Sequence, residues 1–203
     1  AFTVTALLDV YELVQDRHYL HRAEALMQTL LQRFWDDTSA GFFFTSDDHE
    51  QLIVRSKPAF DGSIPSGNSV ACRALLRLYH LTENDNYQKR AEAVLDVYAG
   101  AAREQPFGFA NFLCAVDFYV QEPREIVVVA PRGSSAESLL RPLRTTYVAN
   151  RTLQVIDPTD GAPLPELLQG KGAIDGKPTA YVCHRRTCSA PVTTWPELER
   201  LLA

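Results

Sequence analysis

The sequence predicts a mainly α-helical protein in two parts. Residues 1–121 form helical hairpins with an inserted β-hairpin at 41–55. Residues 122–203 form a small α/β segment with a three-stranded parallel sheet. Three observations lead there. A stretch near the start repeats 68 residues later. The apolar spacing up to about residue 120 is helical, with i, i+3, i+4 recurrence. Beyond Pro123 the pattern changes to short apolar runs separated by a helical stretch.

The repeat sets the first part. "ALLDVYELVQDRHYLHRAEALM" (6–27) lies over "ALLRLYHLTENDNYQKRAEAVL" (74–95), with ten of 22 positions identical. Each copy reads as a helix, a short polar turn and a second helix opened by Tyr19 or Tyr87. Leu7, Leu8, Tyr11 and Val14 share one face of the first helix, matched approximately by Leu75, Leu76, Tyr79 and Leu81. A recurring hairpin cannot bury its apolar face alone, so a stack or closed ring of such units is expected. A further helix is expected at "FGFANFLCAVDFYV", after Pro106. Between the copies, "GFFFT" and "QLIV" have strand character around the polar turn "SDDHE", which gives the inserted hairpin.

In the second part, "EIVVVA" (125–130) reads as a strand buried on both faces. Ser134 and Glu137 stand in capping-box register before a helix that Pro142 should kink or shorten. "TLQVID" and "TAYVCHR" read as two more strands, with "PLPELLQG" as a short helix between them. Thr194 and Glu197 form a second capping box before the last helix. Strand–helix alternation argues for parallel pairing.

Composition excludes several roles. The formal net charge is −5, and residues 1–100 carry nine Lys/Arg against fourteen Asp/Glu. No basic stripe suits a phosphate backbone, so nucleic acid is not expected as a partner. No apolar run approaches the roughly 18 residues of a membrane span. The opening "AFTVTALLDVYEL" is helical rather than a leader, and reads as part of a longer protein. Four cysteines in a chain of this length are no disulfide scaffold, so a reducing, cytoplasmic setting is the default.

Three phrases carry a family resemblance: "FWDDTSAGFFFTSDDHEQLIVRSKPAFDGSIPSGNSVA", "REIVVVA" and "GKPTAYVCHRRTCSAPV". With the helical repeats, they resemble the C-terminal region of the spermatogenesis-associated thioredoxin-domain proteins. That resemblance implies an N-terminal thioredoxin-like domain elsewhere in the longer protein. It also implies an (α/α)6 toroid similar to N-acylglucosamine 2-epimerases and six-hairpin glycosidases, of which this stretch holds only part. Trp35, Asp36, Gly41 and Phe42 match a "W-D…G-F" phrase of the epimerases. A carbohydrate ligand is the implied partner, no cofactor is implied, and the family has no firmly assigned reaction. With the earlier hairpins outside this stretch, Phe2, Val4, Leu7 and Leu8 are the face expected to be open to self-association.

The candidate site is the polar entrance to the helix near Asn68. "DGSIPSGNS" (61–69) holds more hydrogen-bonding capacity than a turn and a cap require. Asp61-Gly62 signals a turn, and Ser66 or Asn68 can cap the helix. Asp61, Ser63 and one of Ser66 and Asn68 are left for a ligand. His49, in "SDDHE", is a candidate proton carrier, with Asp47, Asp48 and Glu50 able to pair with Arg55 and Lys57. Together they give His49 and Asp61 as candidate catalytic residues and Ser63, Ser66, Asn68, Arg55 and Lys57 as candidate substrate contacts. Sugar epimerisation needs a proton-abstracting group, and glycoside hydrolysis needs two carboxyls at a set separation.

Cys183 and Cys188, around His184, lack the further ligands of a zinc site, so no metal is expected. A redox pair would draw on Arg185 and Arg186, though the spacing is not C-x-x-C. A packed strand end is the default. "APRGSS" has one glycine, too few for a dinucleotide fingerprint.

Overall fold

The computed structural model describes residues 1–50, 53–159, 166 and 169–203. The chain divides into two compact units, Ala1–Val120 and Gln121–Ala203.

The first unit is helical: α1 (Phe2–Val14), α2 (Arg17–Arg33), α3 (Gly67–Thr82), α4 (Asp85–Glu104), a 3-10 turn at Pro106–Phe109 and α5 (Ala110–Gln121), whose last residue is the first of the second unit. The repeated sequence folds into repeated caps. Gln15 and its counterpart Glu83 both sit in the left-handed region, at φ 61° and 55°. Each donates its N–H to the repeat tyrosine four residues back, Tyr11 or Tyr79, at 2.7 Å. The next residue opens the second helix: Asp16 accepts from His18 N and Asn84 from Asn86 N. A left-handed residue reverses the chain, and an Asx side chain restarts the helix. These two devices, spaced alike, turn the sequence repeat into two α-hairpins.

Helix α3 is the centre of this unit. It packs against α1 and α4, and eleven of its sixteen residues are buried. Its buried Arg77 reaches back to α1, where Nη1 meets Asp9 Oδ1 at 2.7 Å and Nη2 meets Glu12 Oε1 at 2.9 Å. Asp9 and Arg77 are equivalent positions of the two copies, so divergence at one repeat position supplies the charge pair that joins them.

The face expected to be open on α1 is largely closed. Val4 and Leu8 belong to the core of the unit, and Leu7 packs against it. Phe2 is half exposed, as are Leu13 and Val14, the last contrary to its expected place on the buried face.

The inserted β-hairpin at 41–55 is corrected. Its described residues, 41–50 and 53–55, contain no strand, and Trp35↔Phe42 is an isolated bridge. Phe43 N bonds back to Phe34 O, and Phe44 N to Ser56 O. A two-stranded ribbon needs an apolar face to bury. Here Phe44, Ile53 and Val54 remain exposed, and the Phe43 ring is covered by the Arg55 guanidinium, 4.1 Å from its centroid. The expected strand "QLIV" begins with Gln51 and Leu52, which lie outside the described residues.

The second unit holds β1 (Arg124–Val129), α6 (Glu137–Thr145), β2 (Arg151–Ile156), β3 (Thr179–His184), β4 (Thr187–Cys188) and α7 (Trp195–Leu202). The sheet has four strands in the order β2-β1-β3-β4 and is mixed, not a three-stranded parallel sheet. β2 is parallel to β1, with Ile126 opposite Leu153. β3 is antiparallel to β1, with Ile126 opposite Val182. The β1–α6–β2 crossover meets the expectation. β3 instead enters from the other end, after bends held by the Ile174↔Lys177 bridge and by Tyr181 Oη donating to Gly172 O at 2.7 Å. The helix expected over "PLPELLQG" lies largely outside the described residues.

Ile126, Val128, Leu139, Leu143, Leu153, Val182 and Leu198 form the core here, while Val127 and Val129 are buried on the other face of β1. This double burial fits the continuous apolar run. The first capping box does not form. Ser134 Oγ bonds to Pro131 O, and Ser135 Oγ lies 3.4 Å from Glu137 N. The helix ends three residues after Pro142. The second box forms only in part: the Thr194 hydroxyl does not cap the helix but donates to Glu197 Oε2 at 2.7 Å, and that hydroxyl, with nearby backbone N–H groups, holds the Glu197 carboxyl below its ordinary range. No helix among the described residues is long and apolar enough to cross a membrane.

Candidate functional site

Two hydrogen-bonded assemblies occupy the segment between α2 and α3. The first is built on Asp61, which is buried and accepts three hydrogen bonds. Ser66 N donates to Oδ1 at 2.7 Å, Ser69 Oγ to Oδ1 at 2.6 Å, and Phe112 N to Oδ2 at 3.0 Å. Its own N–H goes to Gly108 O at 2.7 Å. One carboxylate therefore meets the N-terminal turns of both α3 and α5, where backbone N–H groups lack partners within the helix and favour an anion. Ser66 is the N-cap, its Oγ accepting from Ser69 N at 3.0 Å. Asn111 Nδ2 completes the set by donating to Ser69 Oγ at 3.0 Å. Close packing finishes the joint: the Phe60 ring lies where a Cβ on Gly108 would stand.

The second assembly is built on Asn68, inside the first turn of α3. Its Oδ1 accepts from Phe42 N at 2.6 Å, and its Nδ2 donates to Phe42 O and Pro58 O, both at 2.9 Å. The amide thus pairs with Phe42 as a neighbouring strand would. Gly41, at φ +82°, makes this approach possible. A Cβ there would stand 2.8 Å from Tyr98 Oη and 3.2 Å from Asn68 Oδ1. Among the described residues Tyr98 Oη is buried without a hydrogen-bond partner, and burial raises its pKa, with the Asp36 charge adding to the effect.

Asp36 anchors the outer side of the same turn. It accepts from Thr38 N, Ser39 N and Ser39 Oγ, and from Lys57 Nζ at 2.6 Å. Lys57 also reaches Ser39 Oγ at 2.5 Å and Ala40 O at 2.9 Å. Lys57, then Ser39 and Thr38, hold the Asp36 carboxyl far below the usual carboxylate range. A carboxylate depressed in the folded state stabilises the fold fully above its unfolded pKa, about 4, and loses that contribution as pH falls through the folded value. Lys57→Met is expected to weaken the acid-side loss of stability, read as a smaller fall in melting temperature from pH 5 to pH 2. Trp35 packs edge-on to Phe42, with the Arg90 guanidinium 4.6 Å from its ring centroid.

The remaining candidates are dispersed. His49 and Ser63 are exposed. Asp47 and Asp48 pair with Arg33, at 3.3 and 3.6 Å, rather than with Arg55 or Lys57. Arg55 serves the carbonyls of Thr45 and Arg33, and Lys57 serves Asp36. The structure therefore brings Asp61, Ser66 and Asn68 together around the start of α3. Sequence reasoning missed Asn111, the Phe112 N–H, Tyr98 and the Asp36–Lys57 pair. The "W-D…G-F" phrase already contained Asp36 and was the available signal for that pair. Among the described residues, no group of His, Cys, Asp and Glu is placed to hold a metal ion. Cys183 and Cys188 are bonded to each other, so the packed strand end is also a disulfide.

No family model matches the chain. It is 30% identical to human spermatogenesis-associated protein 20 over 207 aligned positions, covering the whole chain and 26% of that protein. The mouse protein of the same name is 28% identical over the same shares. An uncharacterized protein of Caenorhabditis elegans is 25% identical over 202 positions, covering 99% of the chain and 27% of that protein. The chain spans about a quarter of the length of these relatives. The chain is thus similar from end to end to part of spermatogenesis-associated protein 20.

Proposed function

We propose that this chain is a non-catalytic wall segment of a longer thioredoxin-domain protein, in which its hairpins contribute to an (α/α)6 toroid of the sugar-epimerase and glycosidase kind. The reading rests on one observation: Asp61 and Asn68, the most ligand-like side chains at the helix entrance, are spent on partners within the fold, most of them backbone groups. A general acid or base needs a proton path to substrate. Asp61 instead accepts Ser66 N, Ser69 Oγ and Phe112 N, and is buried. Asn68 has both amide hydrogens and its oxygen engaged. A glycan held by the complete toroid takes its acid and base from other hairpins, and this segment fixes the geometry of the wall. His49 and Ser63, both exposed, can meet such a ligand at the rim.

The test compares this chain with the full-length protein on a panel of mono- and oligosaccharides, by calorimetry and by product analysis. Binding or turnover by the full-length protein alone is expected, with His49→Ala changing affinity by less than about tenfold. Turnover by the isolated chain, abolished by His49→Ala, would return the chemistry to this segment.

A further inference from the structure

We propose that Cys183 and Cys188 are a reversible dithiol–disulfide site, opened by attack of an external thiolate on Cys188 Sγ. The two cysteines face each other across β3 and β4, joined by a bond that spans a sequence separation of five. Cys183 is fully buried, and Cys188 is partly exposed. Between them, Arg185 and Arg186 form the turn with φ of 49° and 59°. A two-residue hairpin turn with both residues at positive φ favours Asn and Gly, because a Cβ is penalised there. Two arginines occupy it instead, so the connection works against the local preference of its own residues.

Stability is a poor reason for a bond at this place. A bridge closing so short a loop removes less entropy from the unfolded chain than one closing a long loop. β4, which it secures, has only two residues. Its other ties are few: the antiparallel His184↔Thr187 pair with β3, Ser189 N to Val182 O, and Val182 N to Ser189 Oγ at 3.2 Å. The surroundings suit exchange chemistry. Arg185 and Arg186, in the turn between the two cysteines, are both exposed. Neighbouring cationic groups stabilise a thiolate, whether it approaches or departs, and exposed disulfides are the ones that exchange.

The step balances with a dithiol as co-reactant. Its thiolate attacks Cys188 Sγ, a mixed disulfide forms, and the Cys183–Cys188 bond breaks with Cys183 leaving as thiolate. The second thiol of the reductant then attacks the mixed disulfide and leaves as part of an oxidised, cyclised reductant. Cys188 is released, both cysteines take up protons, and two electrons have passed to the protein. Reduction frees Arg185 and Arg186 to return to negative φ and unpins β4 from the β3 edge.

The purified chain is equilibrated in graded mixtures of reduced and oxidised dithiothreitol under native conditions, then alkylated and mapped by mass spectrometry. Cys183 and Cys188 are expected to become labelled together, as a two-electron couple, while buried Cys72 stays unlabelled. A bond that opens only after unfolding, or that does not form in oxidised dithiothreitol, overturns the proposal. Replacing the turn by R185N and R186G removes the positive-φ penalty from the oxidised form, so the bond should become about tenfold harder to reduce or more. An unchanged midpoint would show that the turn does not set its lability. In folded single variants, Cys183→Ser should leave Cys188 reactive with oxidised glutathione, and Cys188→Ser should leave Cys183 unreactive. The reverse order also refutes the proposed attack.

Discussion

Asp61→Ala is expected to lower unfolding stability by about 3–5 kcal/mol, and Asn68→Ala by a similar amount, since each strips partners from several buried polar groups at about 1–3 kcal/mol apiece. For Asp61 those groups are Ser66 N, Ser69 Oγ and Phe112 N, and for Asn68 they are the N–H and C=O of Phe42, while the C=O of Pro58, an exposed residue, also loses its bond. A lone cap would cost about 1 kcal/mol, which is the scale to expect if these side chains served a ligand instead. Urea titration followed by far-UV circular dichroism separates the two cases. Ser66→Ala supplies the calibration, because it removes the N-cap bond while leaving Asp61 all three of its donors, Ser66 N among them. A loss at Asp61 no greater than at Ser66 would show that the carboxylate is not the joint between α3 and α5.

Arg77→Ala should cost about 3 kcal/mol, because it leaves Glu12 largely buried without its main cation. The Glu12 side chain is 11% exposed and that of Arg77 10%, whereas that of Asp9 is 64% exposed. Asp9→Ala should therefore lose far less, within about 1 kcal/mol, as exposed ion pairs do. The double variant Arg77→Met with Glu12→Met is expected to recover most of the loss, since an apolar pair of similar volume need not be desolvated as charges. A double-mutant cycle by chemical denaturation measures the coupling. A double variant as unstable as Arg77→Ala would show that the guanidinium contributes more than charge neutralisation, through its fit between α1 and α3.

How far the fold was legible depends on where the information sits. The hairpins were readable because their determinants are local: an apolar stripe, a residue that takes positive φ, and an Asx cap, repeated at Gln15-Asp16 and Glu83-Asn84. The direction of β3 was not, because parallel or antiparallel pairing depends on which end of the sheet the chain re-enters, and Thr179–His184 reads the same either way. "GFFFT" looked like a strand because Phe42 does make ladder-like bonds. Its partner is the Asn68 side chain, a substitution that strand propensity cannot register. The same holds for the site. The excess of polar groups in 61–69 was visible, and the capping role of Ser66 followed from type and position. That the surplus is taken up by Phe42, Pro58 and Phe112 depends on contacts 10 to 51 residues away along the chain. The buried Arg77 was hidden for the same reason, since its acids lie one repeat earlier.

The chain's two tryptophans fall one to each compact unit, Trp35 in the first and Trp195 at the start of α7 in the second. Each unit therefore carries its own intrinsic fluorophore. Trp35 lies beneath a guanidinium and against Phe42, while Trp195 packs at the edge of the sheet core. Single Trp→Phe replacements turn the protein into a pair of optical reporters. Emission from Trp35 follows the melting of the helical unit, emission from Trp195 follows the sheet, and the lag between the two curves reads directly whether the halves unfold in concert.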